Sequence, residues 1–145
     1  MLDSETFEKL EMTIERIKER SSKGAAIVVE GKKDEEALRD LGISGPIHHV
    51  PSKGRSPLNS LSDLADYDEA IVLTDFDRTG EKLARFCERQ LQKSGLTVFS
   101  ELRNRLKNLV RKAVKDIEGI SSFVRSEREE HSETLSEFRD YYEED

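Results

Sequence analysis

The sequence predicts an α/β fold: a small four-stranded, mostly parallel sheet with flanking helices and a C-terminal helical extension. Three observations predict it. Two short runs, AAIVVEG at residues 25–31 and AIVLTDFD at residues 70–77, are apolar and β-branched, as strands covered on both faces are. Segments with helical spacing of apolar residues lie around and between them. Clusters of glycine, proline and serine separate the segments. The resulting β-α-β-α-β-α-β alternation calls for parallel strands joined by right-handed crossovers.

Residues 4–20 read as an amphipathic helix with Phe7, Leu10, Ile14 and Ile17 on one face. Ser21, Ser22 and Gly24 end it. The first strand run follows, then KKDEEALRDLG, a short helix stopped by Gly42. Pro46 precedes IHHV, the second strand. PSKGRSPLNS is loop, with two prolines, a glycine and three serines. LSDLADY is a short helix. The third strand run, 70–77, ends abruptly in acids. Residues 78–94 are a helix whose inner face carries Leu83, Phe86, Cys87 and Leu91, stopped near Gly95. LTVFS is the last strand. Residues 101–118 form a helix with Leu102, Leu106, Leu109, Val110, Ala113, Val114 and Ile117 as its apolar stripe. The last 20 residues are polar and acidic, either helical or frayed. The chain divides into an N-terminal helix (1–23), an α/β core (24–100) and a C-terminal helical extension with an acidic tail (101–145).

The net charge of −7 is unevenly placed. Residues 126–145 hold nine acids and two basic side chains, and the rest of the chain balances at 22 of each. The acidity belongs to the tail, so overall charge neither predicts nor excludes a nucleic-acid partner. No apolar run approaches the roughly 20 residues of a membrane span. The acidic start has no signal-peptide core, and a cytoplasmic protein is the simplest expectation. One cysteine, Cys87, permits no intrachain disulfide and no cysteine-based zinc site.

In parallel sheets ligands bind beyond the carboxyl ends of the strands. Glu30 stands at one such end, and Asp75 and Asp77 stand at another. Acids gathered there repel one another, and a divalent cation relieves the repulsion. Mg²⁺ takes hard oxygen ligands and is commonly held by one or two carboxylates plus phosphates. It can clamp attacking and leaving oxygens in phosphoryl chemistry. A further carboxylate can share the ion or move a proton. Gly31 and Gly80 would let phosphate oxygens approach the backbone. The competing reading is a set of surface acids capping helices, Asp77 on the 78–94 helix among them.

VVEGKKD (28–34) followed by LTDFDRTG (73–80) resembles the Toprim domain of topoisomerases, primases and related nucleases. Glu30-Gly31 matches its glutamate-glycine, and Asp75-x-Asp77 with Gly80 matches its aspartate pair. Asp34 also fits, although a first-turn helix acid explains it better than a ligand. The resemblance covers about residues 24–100. LTDFDRTGEKLAR looks most like the small stand-alone archaeal Toprim proteins. It is also similar to the bacterial 5S rRNA maturase, whose motif is LTDPD-x-x-G-E. The resemblance implies Mg²⁺ (one or two ions) at Glu30, Asp75 and Asp77, catalysis by the same three residues, and nucleic acid as partner, RNA before DNA. Topoisomerases use a nucleophilic tyrosine on a separate domain, whereas Tyr67, Tyr141 and Tyr142 lie in a helix or the acidic tail. Bacterial primases carry a zinc domain that one cysteine cannot build.

Lys53 and Arg55, in the loop after the second strand, could contact phosphate or be solvated; both readings stay open. Arg103, Lys107 and Arg111 belong to a basic helix that could track a nucleic-acid backbone. The same helix could instead pair with the acidic tail, which would then cover it until a polyanion displaced it. His48 and His49 are adjacent strand residues and point to opposite faces, so they do not read as a metal pair. Cys87 reads as core. Two functions fit. One is a Mg²⁺-dependent nuclease of the rRNA-maturase type. The other is a non-catalytic, metal-dependent nucleic-acid binding or adaptor module in a larger processing complex. A homodimer through the apolar N-terminal helix is a further option.

Overall fold

The computed structural model describes residues 1–51 and 56–143, and for residues 135, 136, 138, 142 and 143 the helix path alone. Helix α1 (Ser4–Ser22) begins at Asp3, whose carboxylate accepts the Thr6 N–H at 2.7 Å. Strand β1 (Ala26–Val29) and helix α2 (Lys32–Asp40) follow. Next come strand β2 (Ile47–His49) and helix α3 (Pro57–Leu61) with a 3-10 turn after it. Strand β3 (Glu69–Val72), helix α4 (Arg78–Lys93) and strand β4 (Thr97–Val98) complete the sheet. Helices α5 (Ser100–Val110) and α6 (Ile120–Glu143) close the chain.

The strand order is β2-β1-β3-β4 and every pairing is parallel. β1 and β3 lie side by side at the centre, with Ile27 opposite Ile71 and Val28 opposite Val72. Their side chains alternate between two cores. Ile27, Val29, Ile71 and Leu73 face a cluster built with Leu10, Ile14 and Ile17 of α1 and Leu102 and Leu106 of α5. Ala26, Val28, Ala70 and Val72 face Leu83, Ala84, Cys87 and Leu91 of α4. The period-two alternation thus sets helices on both faces. The flanking segments share a core with the sheet. Burial pushes the Cys87 thiol up to about 12, which suits packing and not nucleophilic chemistry.

Three parts of the sequence expectation change, the first being that α3 starts at Pro57, inside the stretch expected to be loop. The third strand is shorter than its apolar run: β3 ends at Val72, and residues 73–77 form the turn that carries the acids. The helix expected over 101–118 stops at Val110. Val114 and Ile117 keep helical spacing and are buried, but the backbone between them turns back to the sheet. There the Lys115 carbonyl accepts the Phe76 N–H at 2.8 Å, a bond that a continued helix would forbid.

α6 crosses the α1 end of the molecule. Glu127, 5% exposed, accepts the Leu2 N–H with both oxygens, at 3.1 and 3.0 Å. His131 stacks on Phe7 with ring centroids 4.1 Å apart. Arg128 pairs with Glu11 at 2.9 Å. Among the described residues the ion pairs of α6 run to α1 or within α6, and none runs to the basic face of α5. No helix of the described residues is long and apolar enough to cross a membrane.

Candidate functional site

β1 ends one residue before Glu30, and β3 ends three residues before Asp75. Because the two strands are neighbours in parallel register, both acids emerge on one rim. The Asp75 N–H donates to Glu30 Oε2 at 2.9 Å. Asp75 Oδ1 accepts the Ile117 N–H at 2.9 Å. The 111–119 turn therefore clamps Asp75 from above while Glu30 holds its backbone from β1.

Asp34 joins them from the first turn of α2. Its carboxylate accepts the Gly31 N–H at 3.0 Å, the helix-cap role expected of a first-turn acid. Burial raises the Glu30 carboxyl above its ordinary value, and the nearby Asp75 and Asp34 charges raise it further against the Asp75 amide bond. Burial raises Asp34 too, with Asp75 and Glu118 adding to the effect. These shifts describe a pocket of acids short of positive charge.

Asp77 is placed differently. It is exposed, and its Oδ1 caps α4 by accepting the Gly80 N–H at 2.7 Å. Among the described residues no three acid, histidine or cysteine side chains come together tightly enough to enclose one ion. The structure brings Glu30, Asp75 and Asp34 within electrostatic reach of one another and sets Asp77 apart as an exposed helix cap.

Arg103 is buried to 2% exposure beneath this turn. Its Nε donates to the Thr74 carbonyl at 3.2 Å and its Nη2 to the Asp75 carbonyl at 2.6 Å. Its Nη1 donates to Glu81 at 3.1 Å, and the guanidinium lies 5.3 Å from the Phe76 ring centre. Lys107 reaches the same Glu81 oxygen at 2.9 Å. The expectation of Arg103 as a nucleic-acid contact is thus corrected: an inward guanidinium with its donors engaged shapes the acidic turn. Lys107 is half-buried and Arg111 is exposed just past α5. Lys53 and Arg55 lie outside the described residues.

The two glycines have unequal surroundings. At Gly31 a Cβ would meet open space, which leaves room for a ligand. At Gly80 a Cβ would overlap the Asp75 carbonyl, so that glycine serves the close packing of α4 on the acidic turn. Thr74 fastens the same joint, its hydroxyl donating to the Gly80 carbonyl at 2.7 Å. His48 and His49 face opposite ways, to Ser60 at 2.9 Å and to Glu35 at 2.7 Å.

Sequence reasoning missed Glu81, the inward turn of Arg103 and the part played by Lys115 and Ile117. Glu81 completes the aspartate-pair motif as a Gly-Glu step. Arg103 shares a helix face with Leu106 and Val110, which is a signal for a buried base. The Ile117 amide is a backbone donor and leaves no side-chain signature.

Residues 25–118 match the Toprim domain. The chain belongs to the Toprim family. The match takes in α5 and most of the 111–119 turn that clamps Asp75. UPF0292 proteins of archaea are similar over most of their length. That of Thermococcus onnurineus is 39% identical over 118 residues, covering 81% of this chain and 84% of its own. That of Pyrococcus furiosus is 43% identical, covering 80% and 84%. That of Methanosarcina barkeri is 34% identical, covering 81% and 82%. A solved protein from Aquifex aeolicus superposes with a TM-score of 0.61 at 28% identity, over 75% of this chain and 95% of that one. As a Toprim protein the chain has a metal-binding, nucleic-acid-related function.

The donors present fit a hard divalent cation. Glu30 and Asp75 each accept a backbone amide with one carboxylate oxygen, which fixes the two groups beside one another. Two such carboxylates with water suffice for an ion that retains much of its hydration shell.

Proposed function

We propose that this Toprim protein is a Mg²⁺-dependent enzyme that cleaves phosphodiester bonds in structured RNA, in the manner of an rRNA-maturing nuclease. The observation that carries the reading is the Glu30–Asp75 pair: two half-buried carboxylates on one rim, each oriented by a backbone amide. Glu30 and Asp75 would hold the ion, with Asp77 contributing through the oxygen its cap leaves over. The bound ion would supply charge neutralisation at the scissile phosphate. Glu30, with its carboxyl raised by burial, is suited to hold or pass a proton. Arg103 acts only through the turn, keeping the Thr74 and Asp75 carbonyls in place. Gly31 leaves the approach to the rim open. Arg111 is an exposed cation on the segment leading to the clamp and suits a phosphate of the flanking strand.

Asp75→Asn and Glu30→Gln should each abolish Mg²⁺-stimulated cleavage of structured RNA by the purified chain. Cleavage that survives both changes removes the acids from catalysis. One observation favours a second reading. Asp77 is engaged as a helix cap, and a two-carboxylate site can bind a metal without driving chemistry. Under that reading the chain is an adaptor that binds nucleic acid in a metal-dependent way within a processing complex. Mg²⁺-dependent RNA binding without turnover, lost in Asp75→Asn, would select it.

A further inference from the structure

α1 and α5 pack side by side and leave a groove of about 320 Å³ on the outer surface. Its floor is apolar, formed by Met12, Thr13 and Leu109, and Met12 is 53% exposed. Lys9, Arg16 and Arg105 stand around it. An apolar floor with a cationic rim fits an amphipathic acidic helix better than a sugar-phosphate strand.

The chain itself contains such a helix. Past His131, α6 runs on for 12 residues, and the described side chains at 132–134, 137 and 139–141 are all exposed. This exposed stretch propagates from a helix whose first half is packed against the molecule. Its sequence is not that of a solvated rod. Leu135, Phe138 and Tyr142 recur at i, i+3 and i+7, one stripe of one face. From residue 132 to the end there are six acids and one arginine.

This segment cannot fold back into its own groove while α6 stays straight. Arg128 meets Glu11, and His131, one turn further on, meets Phe7. α6 therefore runs antiparallel to α1 there, and its continuation passes the start of α1, away from the groove at residues 9–16.

We propose that the C-terminal part of α6 docks in the α1/α5 groove of a second copy of this chain. The apolar stripe covers Met12 and Leu109, and the acids meet Lys9, Arg16 and Arg105. Two copies that each insert a tail make a closed, two-fold dimer.

The test is sedimentation velocity on the full-length chain at low and high salt, with circular dichroism to check the fold of each variant. A reversible dimer that weakens with salt is expected. Met12→Glu and Phe138→Glu should each weaken it by about tenfold or more. Mixing the two variants should restore association, because one intact tail then meets one intact groove. A disulfide provides a second measurement, since Cys87 is buried and leaves an introduced thiol to report alone. A Met12→Cys chain mixed with a Phe138→Cys chain should cross-link between copies. A monomer at all concentrations overturns the proposal. So does a dimer indifferent to both variants, a mixture that fails to re-associate, or a cross-link formed within one doubly substituted chain. If Arg16→Glu with Arg105→Glu lowers RNA binding and leaves association intact, the face belongs to a polynucleotide and the proposal fails.

Discussion

A guanidinium at 2% exposure must find acceptors for its donors, and Arg103 finds the Thr74 and Asp75 carbonyls and the Glu81 carboxylate. Removing it strips a donor from each of two carbonyls and leaves Glu81 to Lys107 alone. Arg103→Met should cost about 2–4 kcal/mol in urea unfolding, toward the lower part of the range for broken buried pairs because Glu81 is partly exposed. Arg103→Lys should recover only part of this, since one ammonium cannot span three acceptors. Wild-type stability in Arg103→Met would remove the residue from the turn's support. Glu81 supplies a pH test. Burial pushes its carboxyl up, but the Lys107 and Arg103 contacts outweigh burial and hold it below the ordinary 4.5. A folded pKa below the unfolded one means stabilisation that is complete above the unfolded value and lost as pH falls through the folded value. The stability gap between wild type and Glu81→Gln should therefore be flat at neutral pH and close in acid. A gap that persists in acid, below the folded value, contradicts the assignment. At Gly80 the decisive fact is space. Gly80→Ala pushes a Cβ into the Asp75 carbonyl and should cost about 1–3 kcal/mol, the range for overpacking.

At the scale of elements, Asp77 serves α4 by one oxygen and lies two residues past Asp75. Its roles as cap and as proposed ligand separate by substitution. Asp77→Asn keeps a capping oxygen and should leave stability within about 0.5 kcal/mol, whereas Asp77→Ala should lose about 1 kcal/mol. Both should weaken Mg²⁺ binding in isothermal titration if the carboxylate is a ligand. Unchanged binding in Asp77→Asn confines the residue to its cap. The strands and helices of the sheet were readable in the sequence because their signals are local. The apolar runs that become β1 and β3 and the 3.6-residue spacing of α1 and α4 need no knowledge of the rest of the chain. The acid rim followed from them, since parallel register delivers Glu30 and Asp75 to one edge. The end of α5 was not readable. Val114 and Ile117 continue the helical period, and only the distant Phe76 amide and Asp75 carboxylate make the 111–119 turn the better solution. Capping by Asp77 was legible as a rival reading, but choosing an oxygen for it required the backbone. Arg103 shares the spacing of an apolar face, but its basic neighbours carry the stronger local signal, and only the packed structure shows it buried.

For the whole molecule, the site is a local liability that a ligand can turn into stability. Glu30, Asp34 and Asp75 crowd one rim, with Glu118 close enough to add to the repulsion at Asp34. The amides of Gly31, Asp75 and Ile117 hold these groups in place without neutralising them. A cation that binds the folded rim and not the unfolded chain stabilises by mass action, about 2.7 kcal/mol at one hundred times its dissociation constant. Thermal unfolding should thus shift upward with Mg²⁺ and return with a chelator. Asp75→Asn preserves an acceptor for the Ile117 amide and removes one charge from the cluster. In chelator it should be at least as stable as wild type, and it should gain little or nothing from Mg²⁺. The two halves of that prediction fail differently. A chelated Asp75→Asn chain less stable than wild type would show that the carboxylate's bond to Ile117 outweighs the repulsion it suffers. A Mg²⁺ shift of full size in the same variant would place the ion elsewhere on the molecule.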